Sequence, residues 1–117
     1  MYKLSIKRIY DIPSKSDGYR ILVDRLWPRG VSKEVAQLDE WDKDVAPSSD
    51  LRIWFGHKPE RFEEFAIKYR EELSHNKEEL LRIKHLLKLH NVTLLYAAKN
   101  PQVNHAIVLK DYINHLK

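Results

Sequence analysis

The stretch Val92-Thr93-Leu94-Leu95-Tyr96-Ala97-Ala98 decides the fold class of this sequence. It carries no charge and is rich in apolar and β-branched side chains, which is typical of a strand buried on both faces. The run Ile21-Leu22-Val23, inside a predicted strand over residues 19–24, has the same character. Strands of this kind lie within parallel sheets that helices cover on both sides.

Two weaker strand signals flank the strand over residues 19–24. Leu4 and Ile6 alternate with polar residues and predict a first strand that extends toward residues 8–10. Residues 37–45 predict a third extended segment. Between the first two strands, residues 11–18 are polar and include proline and glycine, so they predict a mobile loop.

Helix-start and helix-stop residues predict four helices in the rest of the chain. They run from a cap at Ser48 or Ser49 to Gly56, from Pro59 to Leu73, from a capping box at Asn76 and Glu79 through Leu87 to a left-handed stop at Asn91, and from a cap at Asn100 to Leu116. Strands followed by crossover helices predict an α/β fold. We therefore expect a small, mostly parallel sheet of about four strands with helices packed on its faces, in a single domain over residues 1–117.

Composition excludes several classes of site. The sequence has no cysteine, which removes disulfides, thiolate metal sites and cysteine nucleophiles, and which fits a reducing compartment. The first residues alternate and are charged, unlike a signal peptide, and no apolar run approaches a membrane span. These features predict a cytoplasmic protein without membrane contact. The net charge of +4 favours anionic partners.

One string in the sequence is specific enough to indicate a family. Asp24-Arg25-Leu26-Trp27-Pro28-Arg29-Gly30, followed in order by Trp54-Phe55-Gly56-His57 and Asn104-His105-Ala106, resembles the YeaO-like branch of the domain-of-unknown-function 488 family. The matching segments span nearly the whole chain. The resemblance implies a compact α/β domain of the prokaryotic cytoplasm and brings no established activity. The sequence departs from the family pattern at Lys58, where aspartate is more frequent.

Two arginines follow the second predicted strand. In open parallel sheets, ligands bind beyond the carboxyl ends of the strands, which here are Asp24-Arg25 and Lys99-Asn100. Pro28 and Gly30 predict a tight turn that presents Arg29. Two guanidinium groups on a stiff backbone can bind a phosphate or a carboxylate. The alternative is a structural ion pair of Arg25 or Arg29 with Asp24 or with a helix carboxylate.

Three further residues complete the candidate site. His57 follows a helix end and is the candidate catalytic residue, as an acid, a base or a phosphate donor; alternatively it caps the preceding helix. Arg52 either joins the basic cluster or is a solvated helix charge. Asn104 either orients a ligand from the first turn of the last helix or belongs to a buried network.

Metal and cofactor signals are weak. Asp39, Asp42 and Asp44 on one extended segment are more typical of a solvated edge than of a magnesium site. The histidines show no zinc-ligand spacing, and there is no glycine-rich phosphate loop. We predict no metal and no cofactor.

These observations favour a small anionic ligand, phosphate-like or nucleotide-like, bound at Arg25, Arg29, Arg52 and Asn104, with enzymatic use of that ligand left open. Two alternatives remain. A nucleic-acid-binding module would need cations spread along one face, and the mixed helix charges predict weak or no such binding. An interaction domain without a ligand would use the same arginines and the tryptophans for packing. The sequence pattern specifies no oligomeric state.

Overall fold

The computed structural model describes residues 2–117 and contains a four-stranded, all-parallel sheet. The strands are β1 (Leu4–Arg8), β2 (Tyr19–Leu22), β3 (Glu40–Trp41) and β4 (Val92–Tyr96), in the spatial order β1-β4-β2-β3. The uncharged strand β4 lies between β1 and β2, with Val92 aligned with both Leu4 and Tyr19. The predicted fold class is therefore confirmed, and the most apolar strand is a central one.

Five α-helices surround this sheet: α1 (Lys33–Ala36), α2 (Ser49–Phe55), α3 (Phe62–Ser74), α4 (Lys77–Leu86) and α5 (His105–Asn114). Successive strand residues alternate between two apolar clusters, one on each face of the sheet. Ile21 and Leu94 pack into the larger cluster with α2 to α5, whereas Leu22 and Leu95 pack into the smaller one with α1. None of the helices over residues 2–117 combines the length and the apolar character that crossing a lipid bilayer requires.

Two predicted segments differ from the structure. The third extended segment is a strand only at Glu40–Trp41, because Gln37 adopts a left-handed conformation and Lys43–Val45 form a 3-10 turn. The loop at residues 11–18, predicted to be mobile, holds a capped 3-10 turn at Lys15–Asp17. Its Asp17 is buried and bonded to Arg20, which ties the loop to the start of β2.

The predicted helix ends agree with the structure at α2 and differ from it at three other positions. Ser48 caps α2 and Gly56 ends it in a left-handed conformation, as predicted. The predicted capping box at Asn76 is wrong, since the Asn76 amide donates to the Asp44 carbonyl and Glu79 binds Arg82. Asn91 is not left-handed, and Pro59 begins a 3-10 turn rather than α3 itself.

The prediction that Asp39, Asp42 and Asp44 form a solvated edge is wrong for Asp42. Asp42 is buried beside Glu40 and Glu79, and the guanidinium of Arg82 contacts all three carboxylates at 2.6–3.3 Å. The guanidinium thus occupies the place that a cation would take. Burial and a hydrogen bond with Glu79 raise the pKa of Asp42 to about 7.

A pH-dependent stability follows from Asp42. Because its pKa is higher in the folded protein than the ordinary 3.8, the folded state binds more protons between about pH 4 and pH 7, and stability falls as pH rises through that range. Glu79, whose pKa is lowered from 4.5, contributes in the opposite direction until the pH is about one unit above 4.5, so the decline is clearest in the upper part of this range. We expect Asp42→Asn to flatten the decline in urea-denaturation experiments, whereas Asp44→Asn, at an exposed position, preserves it. Equal declines in Asp42→Asn and the parent would contradict this assignment.

Candidate functional site

A cavity of about 610 Å³ opens at the carboxyl ends of the parallel strands. Its walls come from Tyr10 after β1, from residues 24–29 after β2 and from residues 97–100 after β4, with further side chains from α2, α3 and the start of α5. This is the edge at which open parallel sheets bind ligands. All five candidate residues from the sequence, Arg25, Arg29, Arg52, His57 and Asn104, line this one cavity.

Four basic side chains at the cavity, Arg29, Arg52, His57 and Lys99, form what we call the basic rim. All four residues are exposed, and none of these side chains makes a hydrogen bond or an ion pair with another of residues 2–117. The alternative considered from sequence, an ion pair of Arg29 with a carboxylate, is therefore not formed within residues 2–117. The two arginines and the lysine of the rim present unneutralised positive charge to the cavity.

The turn after β2 fixes the position of Arg29. Trp27 donates from its indole Nε1 to the Val31 carbonyl at 2.6 Å, and the Tyr10 hydroxyl donates to the Arg29 carbonyl at 2.9 Å. Gly30 supplies the positive φ of 76° that the turn requires. The backbone of Arg29 is therefore anchored while its side chain extends into solvent.

His57 lies in a strained part of the backbone. It follows Gly56 and itself has a φ of 59°, so the chain turns sharply between α2 and the 3-10 turn at Pro59–Arg61. The alternative role for His57, capping α2 through its side chain, is not observed, since the Gly56 N–H donates to the Arg52 carbonyl instead. The imidazole rests beside Phe55, with ring centroids 6.1 Å apart.

The side chain of Arg25 is half-buried and donates hydrogen bonds to backbone carbonyls, which the sequence did not predict. Its Nε donates to the Pro47 carbonyl at 2.9 Å and its Nη2 to the Ala46 carbonyl at 3.3 Å. Neither of the carboxylate partners considered from sequence is used. Arg25 thus holds the segment before α2 against the end of β2, and it contributes its charge to the cavity from a half-buried position.

Asn104 takes the capping role that the sequence assigned to Asn100. Its Oδ1 accepts from the Ile107 N–H at 3.1 Å, and its Nδ2 donates to the Asn100 carbonyl at 3.0 Å. The Asn100 side chain instead accepts from the Gln102 N–H, within the turn that precedes α5. Buried Asn104 therefore orients the first turn of α5 toward the cavity, as in the network alternative.

Apolar side chains line the rest of the cavity. They are Leu26, Trp27, Pro28, Pro47, Phe55, Phe65, Ala97 and Ala98. Phe55 and Phe65 stack at 4.2 Å between ring centroids and belong to the main core. A cavity with an apolar wall and a few charged groups suits an organic ligand with a charged end.

Asp24 and His105 form a pair that sequence reasoning missed. Asp24 lies just after β2 and His105 is the first residue of α5, yet the His105 Nε2 is 3.1 Å from the Asp24 Oδ1. Asp24 also accepts through Oδ2 from the Ala97 N–H at 3.0 Å, which links the ends of β2 and β4. The one sequence signal for His105 was its place in the Asn104-His105-Ala106 string.

Comparison with known proteins agrees with the resemblance seen in the sequence. A family model described as the inactive DUF488-N3 subclade matches residues 3–116. The chain belongs to this DUF488-N3i family. It is 46% identical to "Uncharacterized protein YeaO" of Escherichia coli (strain K12) over 97% of this chain and 98% of that protein. It is 41% identical to "Uncharacterized protein Rv3073c" of Mycobacterium tuberculosis (strain ATCC 25618 / H37Rv) over 96% of this chain and 94% of that protein.

No solved structure matches this DUF488-N3i chain. The family match includes all the residues of the basic rim as well as Asp24 and His105, because residues 3–116 contain every residue of the cavity.

Proposed function

We propose that this DUF488-N3i protein binds a small organic anion, phosphate-bearing and nucleotide-like, in the cavity at the carboxyl edge of its sheet. The observation that carries the proposal is the basic rim, whose four side chains line one cavity without a partner among residues 2–117. Like charges gathered at one place repel each other, and a bound anion relieves that repulsion.

The shape and the lining of the cavity support the class of ligand. A volume of about 610 Å³ lies within the range of roughly 300–1,000 Å³ that is common for sites of small organic ligands. The apolar wall at Trp27, Phe55 and Phe65 suits a ring, and the basic rim suits a phosphoryl group. The cations converge on a concave site rather than following one face, which favours a small ligand over nucleic acid.

We propose binding rather than catalysis. The matching family model is described as an inactive subclade, and this description supports a protein that holds its ligand without turnover. In this proposal His57 donates a hydrogen bond to the anion at the exposed end of α2, which is the phosphate-donor role, and not the acid or base role, of those considered from sequence. Arg25 and Asn104 position the segments that surround the ligand.

Arg29→Ala tests the proposal. We expect its stability without ligand to stay within about 0.5 kcal/mol of the parent, because the lost side chain is exposed and unpartnered. A ligand at about 100 times its Kd stabilises a protein by about 2.7 kcal/mol, and losing one charge-assisted hydrogen bond removes about 1.5–3 kcal/mol of binding. The ligand-induced rise in melting temperature should therefore fall to about half or less.

The measurement is a thermal melt with and without inorganic phosphate, pyrophosphate and adenosine monophosphate. Arg70→Ala is the matched control, since Arg70 is an exposed arginine on α3 outside the cavity, and it should keep the full ligand effect. If no anion raises the melting temperature of the parent, or if Arg29→Ala is itself strongly destabilised, the anion site is refuted and the interaction-domain alternative gains.

A further inference from the structure

The ring of His105 is held from one side by the two residues that follow β2. Its Nε2 lies 3.0 Å from the Val23 carbonyl oxygen and 3.1 Å from the Asp24 Oδ1. The Tyr69 ring of α3 packs edge-on against it, with centroids 6.2 Å apart. The imidazole therefore has a fixed orientation while it lines the cavity.

This geometry assigns the tautomer of His105. The Val23 carbonyl can only accept a hydrogen bond, so Nε2 carries the hydrogen, and Nδ1 is the unprotonated nitrogen of the neutral ring. Nδ1 has no partner among residues 2–117. In that range, the one fully buried side-chain nitrogen or oxygen without a hydrogen bond is the Asp24 Oδ1, so the Nδ1 of half-buried His105 is open to solvent.

Asp24 places an unsatisfied acceptor behind the ring. Its Oδ1 is buried and receives no hydrogen bond, because the Nε2–H of His105 is directed at the Val23 carbonyl. A buried carboxylate oxygen without a partner is costly unless a cation lies against it. A proton on Nδ1 would make the ring such a cation, 3.1 Å from this oxygen.

We propose that His105 is a ligand-binding residue of the cavity and that its Nδ1 takes up one proton from solvent when an oxyanion binds. This inference rests on the proposed function, since an anion must enter the cavity. The Nδ1–H then donates to an oxygen of the anion, and the imidazolium lies between the Asp24 carboxylate and the ligand. Negative, positive and negative groups alternate along this line, which strengthens both contacts.

The other charges around His105 explain why the proton arrives together with the ligand. The cavity also contains Arg25 after β2, the basic rim, and the hydroxyl of Tyr10 after β1, while the uncharged Tyr69 ring covers the α3 side. In the empty cavity, no anion offsets the positive charge of Arg25 and of the basic rim. A bound oxyanion cancels their repulsion, so binding and protonation favour each other.

The experiment uses sulfate as the probe, because sulfate does not change its own protonation near neutral pH. At about pH 7.5, above the ordinary histidine pKa of about 6.5, calorimetric titration in buffers of different ionisation enthalpy should show up to one proton taken up per sulfate. The affinity should fall by up to about tenfold per pH unit above neutrality. Nitrogen NMR of the histidine rings should show the Nε2–H tautomer of His105 in the free protein and a protonated Nδ1 with sulfate bound.

Two variants separate His105 from the other histidine of the cavity. His105→Gln should bind sulfate without proton uptake, whereas His57→Gln should bind more weakly but with the uptake retained. Sulfate binding without proton uptake, or an Nδ1–H tautomer in the free protein, overturns this inference and leaves the anion site intact. Absence of binding by sulfate, phosphate and pyrophosphate overturns both. The NMR measurement uses the parent protein, so it decides the question even if a variant fails to fold.

Discussion

Arg20→Met should lower the free energy of unfolding by about 3–5 kcal/mol, the usual consequence of removing one partner of a buried ion pair. The Arg20 side chain is only 5% exposed, and its Nη1 contacts the Asp17 Oδ2 at 2.6 Å. Its Nε and Nη2 donate to the carbonyls of Gln37 and Ala36 at 3.1 and 2.8 Å. Methionine fills a similar volume but leaves one carboxylate and two carbonyls without these donors.

Chemical denaturation followed by far-ultraviolet circular dichroism measures this loss. Arg70→Met is the matched control, because Arg70 is 46% exposed and its contact with Asp111 is 3.9 Å long, so its removal should change stability by less than about 1 kcal/mol. Similar losses in the two variants would show that the Arg20 network adds little to the fold. Lys7 also binds Asp17, at 3.1 Å, and this contact limits the loss to the stated range.

The central strands and the edge of the sheet where the candidate residues meet could be predicted from sequence because both depend on local patterns. The uncharged stretch of β4 and the apolar run of β2 indicated burial on both faces, and both strands have buried residues throughout their apolar runs. Parallel strands bring their carboxyl ends to one edge, so Lys99 lies at the same cavity as Arg25 and Arg29 although it is far from them in sequence. Once the strands were predicted to be parallel, the residues that follow them were expected to lie at the same edge of the sheet.

The details that the sequence left open depend on distant contacts. Asn100 and Asn104 carry the same helix-start signal, and the choice between them is made by the turn that Asn100 forms with Gln102. In the sequence, His105 has the pattern of an ordinary first residue of a helix. Its contact with the Val23 carbonyl, just after β2, is visible only in the structure. Asp42 looked solvated because its burial partners, Glu79 and Arg82, belong to α4. Such pairings have no local signature.

Gly18→Ala should also be strongly destabilising, for a steric reason. Gly18 has a φ of +68°, and a Cβ added there would lie 2.1 Å from the Asn91 carbonyl oxygen and 2.8 Å from the Asn91 Cβ. That carbonyl accepts the Tyr19 N–H at 2.7 Å, which starts the pairing of β2 with β4. The backbone conformation alone costs a side chain about 1–3 kcal/mol. The clash with backbone adds to this, so we expect a loss of about 3 kcal/mol or more.

Gly30→Ala is a comparison variant that has a positive φ but no clash. Gly30 has a similar φ of +76°, but a Cβ there meets nothing within 4 Å, so the variant should lose only about 1–3 kcal/mol for the backbone conformation. Denaturation of both variants under the same conditions gives the difference in stability, to which the close approach of Gly18 to Asn91 contributes. Equal losses would show that β2 can shift away from Asn91 without penalty. A real difference would show that the start of β2 is fixed against β4, and with it the register that carries Asp24 to His105 at the opposite end of the strand.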